Sequence, residues 1–313
     1  MSRLATSEGD PRNAGRPFFS SVFSSLSLPI MLRLAIQKSG RLADDTLALL
    51  RAGGVEVAVS PTRLRTRATN FPLELLFLRD DDIPGCVADG SADAGIVGEN
   101  VLLEAGLGEL RREALGFGRC RLALAVPRES PVTTVAGLAG QRVATSYPRL
   151  LGAYLAERGV GTGIHALSGS VEIAPSLGVA EAICDIVSSG ATLVANGLRE
   201  LETVLLSEAV VAARPGLNGA AGAALAQLLF RVRAVQRARR HRYIALNAPN
   251  VALPAVRALL PGLKAPTITP LAEPGWSAVQ SVVAEENSWE IIRQLEAAGA
   301  EGILVLPIEK MIG

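Results

Sequence analysis

From residue 32 onward, short apolar runs alternate along this chain with stretches of helical periodicity. Residues 32–36 and 73–78 read as strands, and 92–98 as a third strand ending in a glycine turn. Between them, 43–52 carries apolar residues at helical spacing and closes on Gly53-Gly54. Residues 83–89 form a shorter helix stopped by Gly90. This alternation predicts a parallel, doubly wound sheet. A second unit opens near 120–127, continues as a strand and loop at 143–148 and a helix at 149–159, and reaches a short buried strand at 184–187. Residues 204–213 read as a strand returning to the first unit. Two α/β lobes joined by crossing strands leave a cleft between them, a common position for a small-ligand site.

Residues 220–239 form a long Ala/Leu helix with Arg231, Arg233, Arg237 and Arg239 towards its end, and it reads as a solvated connector. Beyond it the order is β-α-β-β-α-β, with strands at 243–246, 267–271, 276–284 and 303–306 and helices at 251–260 and 289–298. That order is ferredoxin-like. Such a module either binds a small effector or serves packing alone. Residues 1–30 are irregular and read as a disordered leader, as sequence upstream of a working start at Met31, or as a targeting peptide. The expected organisation is therefore a leader (1–30), a first lobe (31–121 with 200–215), a second lobe (122–199), a connecting helix (216–240) and a terminal domain (241–313).

Composition narrows the class. The chain has 313 residues, of which 49% are hydrophobic and 4% aromatic, which suits an Ala/Val/Leu-rich α/β protein. A net charge of +1 argues against broad binding to nucleic acid or an anionic membrane. No run of 18 apolar residues is present to span a bilayer. Cys86, Cys120 and Cys184 are odd in number and widely separated, which fits a reducing, cytoplasmic compartment. With only His165 and His241 available, a histidine triad or zinc site is nearly excluded.

The candidate chemistry lies at strand ends. Asp185 closes a buried strand, and Ser188, Ser189, Gly190, Ala191 and Thr192 follow where a helix should begin. Such a start offers unpaired N–H groups to a phosphate, with Asp185 placed for sugar hydroxyls; the alternative is an ordinary capped turn. Lys38 and Arg41, flanking Gly40 after the first strand, suit a polyphosphate or are two solvated cations. Arg79-Asp80-Asp81-Asp82 either binds Mg²⁺ on a diphosphate or sets negative charge at a helix start. Asp93, Gly95 and Gly98 read as turn-formers that let the backbone approach a ligand. Glu172 could meet ribose or Mg²⁺, or cap a helix. No nucleophile–base pair appears, so an enzyme built this way works by positioning and electrostatics.

Taken together, these segments have a family likeness. The stretches 37–42, 79–84, 93–98, 144–148, 169–172, 184–193 and 195–198, with the closing Ile303 to Met311, resemble in order the long form of ATP phosphoribosyltransferase. The resemblance covers residues 32–313. It implies a two-lobed, type II periplasmic-binding-like α/β core with a C-terminal ferredoxin-like regulatory domain. It further implies transfer of the phosphoribosyl group of 5-phosphoribosyl diphosphate to N1 of ATP, the first step of histidine biosynthesis. Mg²⁺ as cofactor, feedback inhibition by histidine, and homo-oligomers shifting between dimer and hexamer also follow from it. On this basis Ser188 to Thr192 would hold the 5-phosphate, and Asp185 and Glu172 would face the ribose and the metal. Lys38, Arg41 and Arg79 would neutralise polyphosphate, while Thr145 and Tyr147 would approach substrate from the second lobe. A two-lobed binding protein without catalysis is the competing expectation.

Overall fold

The computed structural model describes residues 31–60, 63–260 and 262–313; the expected leader lies outside the described residues. The chain begins with β1 (Leu32–Gln37), α1 (Arg41–Ala52), β2 (Arg65–Arg67), β3 (Leu73–Leu78), α2 (Ile83–Asp89), β4 (Ala94–Gly98), α3 (Glu99–Glu104) and β5 (Arg111–Ala114). It then builds a second layer system from β6 (Cys120–Pro127), β7 (Arg142–Thr145), α4 (Pro148–Glu157), β8 (Gly163–Ala166), β9 (Ala182–Val187), α5 (Ala191–Ala195) and β10 (Leu198–Ser207). It returns through β11 (Ala209–Ala213) and runs into α6 (Gly219–Arg239).

The first sheet has the order β2-β3-β1-β4-β11-β5 and the second β10-β6-β9-β7-β8. Neither is purely parallel, contrary to the expectation from alternation. The strands laid down in sequence, β1 with β3 and β4, and β7 with β8 and β9, are parallel. The strands that connect the sheets run against their neighbours: β11 against β4 and β5, β6 against β9 and β10. A strand arriving from the other lobe enters its sheet from the opposite end, which fixes that direction. The return segment, expected as a single strand over 204–213, is two strands interrupted at Glu208, one in each sheet.

Both faces of each sheet are covered, as buried parallel strands require. On the first sheet, Leu34, Ile36, Leu73 and Leu75 pack against Leu49 and Leu50 of α1 and Leu225, Leu228 and Val232 of α6. The opposite face packs Ala35 and Val97 against Ile83 and Val87 of α2 and Leu102 of α3. Helix α6, expected as a solvated connector, is thus a structural layer of the first lobe, because its Ala and Leu positions form one continuous buried stripe. In the second lobe, Leu122, Leu124 and Val143 meet Leu151 and Leu155 of α4, while Ile183 and Val187 meet Val171 and Leu193 behind.

The last domain is the expected βαββαβ unit: β12 (His241–Pro249), α7 (Leu253–Leu259), β13 (Thr267–Pro270), β14 (Trp276–Ala284), α8 (Ser288–Ala297) and β15 (Glu301–Pro307). Its antiparallel sheet runs β13-β14-β12-β15. Val256 and Leu295 from the two helices seal Ile244, Leu246 and Val279 on one face. The chain end folds back so that Met311 N donates to Ala234 O of α6 at 3.0 Å. Among the described residues no helix is long and apolar enough to cross a membrane.

Gly95 has a packing role in this frame. A Cβ there would lie 2.5 Å from Ile83 Cγ2 and 3.1 Å from Val87 Cγ2, so α2 sits on β4 only because the side chain is absent. Gly95→Val should therefore overpack this seam and destabilise the protein by about 1–3 kcal/mol. A urea unfolding midpoint equal to that of the wild type would contradict this.

Candidate active site

The site forms where parallel strands of both lobes end. At the ends of β1 and β3, Lys38 N donates to Leu78 O at 2.8 Å, which sets the loop after one strand beside Arg79 after the other. Gly40 then takes φ 96°, a left-handed value that turns the chain into α1. Lys38 and Arg79 are exposed. Arg41, the first residue of α1, reaches across to the second lobe, where its Nη2 donates to Ser188 Oγ at 3.4 Å.

Opposite, β9 ends at Val187 and the loop 188–190 follows, with Gly190 at φ 84°. Arg121 supports this loop from below. Its Nη2 donates to Glu200 Oε2 at 2.6 Å and its Nε to Glu200 Oε1 at 2.9 Å, while Nη1 donates to Ser188 O at 3.4 Å. Ala191 N donates to Ser189 Oγ at 3.4 Å. The helix that follows is only Ala191–Ala195, so the loop's own N–H and hydroxyl groups, more than a helix dipole, are what it offers an anion.

Between the lobes, Tyr147 separates two open cavities. One, of about 450 Å³, is bordered by Gln37, Arg41, Asn100, Arg119 and Ser188. The other, of about 480 Å³, is bordered by Asp81, Glu104, Ser146, Ser168 and Gly169. Asp80 lines both. Asn100, buried at the start of α3, donates from Nδ2 to Tyr147 Oη at 3.1 Å, and its Oδ1 accepts from Ser207 Oγ at 2.8 Å. Glu104, at the end of α3, accepts the N–H groups of Arg149 and Leu150 at 2.8 and 2.9 Å, capping α4 of the other lobe. Helix α3 therefore holds both lobes.

The electrostatics divide the cleft. Burial, then the Asp185 charge, and more weakly Asp80 and Asp81, push the Tyr147 phenol well above its ordinary range, against the hydrogen bond from Asn100. It stays protonated, and with its oxygen already accepting from Asn100 its O–H is free to donate. Burial and the neighbouring Glu172 raise the Asp185 carboxyl, with the Ile186 N–H acting the other way. Glu172 is aimed by a strained turn, since Ser170 has φ 50°, the sole positive φ at a non-glycine among the described residues. Among those residues no cluster of three or more His, Cys, Asp or Glu side chains is preassembled for a metal. Asp185 and the nearby Glu172 are carboxylate donors of the kind that suit a hard cation taking its remaining ligands from phosphates and water.

Some expected contacts are reassigned. Thr145 is fully buried, and its Oγ1 accepts from Tyr147 N at 2.9 Å, so it positions Tyr147 and does not line the cleft. Asp93 lies at the opposite end of β4 from the cleft, where it holds Arg33 (2.8 Å) and Arg214 (3.6 Å). It and Gly95 serve the fold, whereas the sequence reads them as turn-formers that let the backbone approach a ligand. Asn100, Glu104 and Arg121 were not singled out by sequence reasoning. Asn100 carried a usable signal, a polar side chain just past the end of a parallel strand. The partners of the other two are distant in sequence.

Known proteins resemble this chain in sequence and fold. A family model described as ATP phosphoribosyltransferase matches residues 79–234, and one for the C-terminal domain of that family matches 238–310. An ATP phosphoribosyltransferase of Cytophaga hutchinsonii is 54% identical over 282 residues, covering 90% of this chain and 99% of its own. One from Parabacteroides distasonis is 52% identical, covering 90% of this chain and 100% of its own. Among solved structures, the ATP phosphoribosyl transferase (HisG:HisZ) complex from Thermotoga maritima is similar with a TM-score of 0.56 and 26% identity, covering 65% of this chain and 99% of that one.

Asp93 supplies a pH test. Burial opposes its ionisation, but the Arg33 hydrogen bonds and charge outweigh it and hold the carboxyl below its ordinary range. Its contribution is present above the unfolded value of about 3.9 and fades as pH falls through the lower native value. Asp93→Asn should thus be less stable than wild type at pH 7 and lose less on going to pH 3. Parallel stability curves in urea titrations across that range would disprove the assignment.

Proposed function

The chain belongs to the ATP phosphoribosyltransferase family, and from that membership we propose how this cleft carries out the reaction. The reaction itself is transfer of the 5-phosphoribosyl group from 5-phosphoribosyl diphosphate to N1 of ATP, releasing diphosphate, as the first step of histidine biosynthesis. A binding protein without catalysis is not favoured, since the relatives sharing about half of its residues are all transferases over their full length.

The single observation that carries the assignment is the meeting of Arg41 and Ser188 across the lobes. It supports the 5-phosphate in the loop Ser188, Ser189, Gly190, Ala191 and Thr192, with Arg41, Lys38 and Arg79 beside the diphosphate. Asp185 and Glu172 then face the ribose. In the reaction the N1 lone pair of adenine forms the new bond to the anomeric carbon while the bond from that carbon to the diphosphate oxygen breaks, its electron pair leaving with the diphosphate. Positive charge gathers on the ribose, where the carboxylates stabilise it. Negative charge gathers on the leaving group, where the cations stabilise it. Tyr147, protonated and oriented by Asn100 and Thr145, donates a hydrogen bond to bound substrate. Mg²⁺ is the cation that fits: Asp185 and Glu172 would hold it, and when bound it neutralises diphosphate charge.

The terminal domain, residues 241–313, is the proposed seat of histidine inhibition, in an enzyme that assembles as a homo-oligomer of dimers and hexamers. The matched C-terminal family model and the separate four-stranded sheet support a self-contained effector module.

Asp185→Ala should lower turnover of ATP and 5-phosphoribosyl diphosphate by at least about 100-fold while leaving the circular dichroism spectrum unchanged. Wild-type rates in that variant would remove Asp185 from the site. Added histidine should suppress phosphoribosyl-ATP formation by the wild type, and an unaffected rate would discard the effector role.

A further inference from the structure

Arg119 lies on the first connection between the lobes, directly after Gly118 at φ 63° and directly before β6. Its side chain borders the cleft cavity, where it and Arg41 are the lining cations. It also borders a cavity of about 330 Å³ on the hinge side, together with Glu99, Leu206 and Glu208. Its side chain is 78% exposed, and among the described residues its ion pair is a loose one, Nε to Glu208 Oε2 at 3.9 Å. Neighbouring arginines are committed elsewhere: Arg121 to Glu200 and Arg111 to Glu99, each at 2.6 Å. Glu208, by contrast, keeps a second partner, since its Oε2 accepts from Gly116 N at 3.0 Å.

Resting on the phosphoribosyl-transfer reading above, we infer that Arg119 is a further substrate-binding residue that exchanges Glu208 for phosphate oxygens in the cleft. An exposed ion pair at 3.9 Å is worth little, whereas a guanidinium on phosphate makes short, bidentate, charge-assisted bonds, so the exchange runs towards substrate. Glu208 does not oppose it strongly because the Gly116 N–H stays in place. The ligand chemistry is a polyphosphate, supplied either by the leaving diphosphate or by the triphosphate of ATP.

The test compares wild type, Arg119→Ala, Arg119→Lys and Glu208→Gln, varying each substrate at saturating levels of the other, with calorimetric binding of inorganic diphosphate in the presence of Mg²⁺. Loss of the contact should raise one KM by about tenfold in Arg119→Ala with kcat little changed. Arg119→Lys should recover part of the loss, as a point charge in place of a fork. Glu208→Gln still accepts from Gly116 N but releases Arg119, so the same KM should fall below the wild-type value. A raised KM for 5-phosphoribosyl diphosphate with weakened diphosphate binding assigns the leaving group. A raised KM for ATP with diphosphate binding intact assigns the triphosphate. Turnover by the wild type with both KM values unchanged in Arg119→Ala overturns the role of Arg119 alone, as does a rise in KM for Glu208→Gln. A wild type without turnover overturns the transferase reading and this role together.

Discussion

The chain crosses between its two sheets twice, and each crossing is locked by strand pairing. Strand β6 pairs with β9 and β10 in one lobe, and β11 pairs with β4 and β5 in the other, with the break at Glu208. Because the connecting strands are inserted against the direction of their neighbours, the carboxyl ends of the parallel strands in both lobes face the same space. The strand-end loops that meet across the cleft follow from this. Arg41 comes after β1 and Ser188 after β9, and they touch; Asn100 comes after β4 and Tyr147 after β7, and they touch as well. Open α/β sheets place ligands beyond strand carboxyl ends, and here two sheets do so towards one another.

That geometry also sorts charge. Lys38, Arg41 and Arg79 belong to the first lobe, whereas Asp185 and Glu172 belong to the second. On the proposed reading, positive charge on the sugar would meet Asp185 and Glu172, and negative charge on the departing diphosphate would meet Lys38, Arg41 and Arg79. The first-lobe wall also carries Asp80, Asp81 and Glu104. Nothing in the site needs a nucleophile of its own. The raised Asp185 carboxyl reflects its burial first and the nearby Glu172 charge second, and a cation bound beside it would favour the ionised form.

Rigidity around the site is uneven. Arg121 is anchored on Glu200 under the Ser188 loop, and Glu104 caps α4 from across the cleft. The connecting segment turns at Gly116 (φ 73°) and Gly118 (φ 63°), and Arg119 on it is only weakly paired. Anchored loops on both walls suit a site that must hold two polyanionic substrates in register.

The sequence alone determined what depends on neighbours along the chain. Apolar periodicity located β1, α1, α2, β4 and β14 closely, and the order of the last strands and helices defined the terminal domain. It also placed Lys38, Arg41 and Ser188 just beyond strand ends, where the structure has them. Tertiary structure decided what depends on partners far away. The antiparallel entry of β6 and β11, the break at Glu208 and the burial of α6 follow from where the lobes meet, which no local period encodes. Asp93 and Gly95 sit in a motif that reads as ligand-binding, yet an ion pair with Arg33 and contact with Ile83 give them to the fold. Asn100 and Glu104 look like ordinary helix residues until Tyr147 and the start of α4 arrive from the other lobe. A side chain's role in this protein is set by what lies across the cleft, and that is a property of three dimensions.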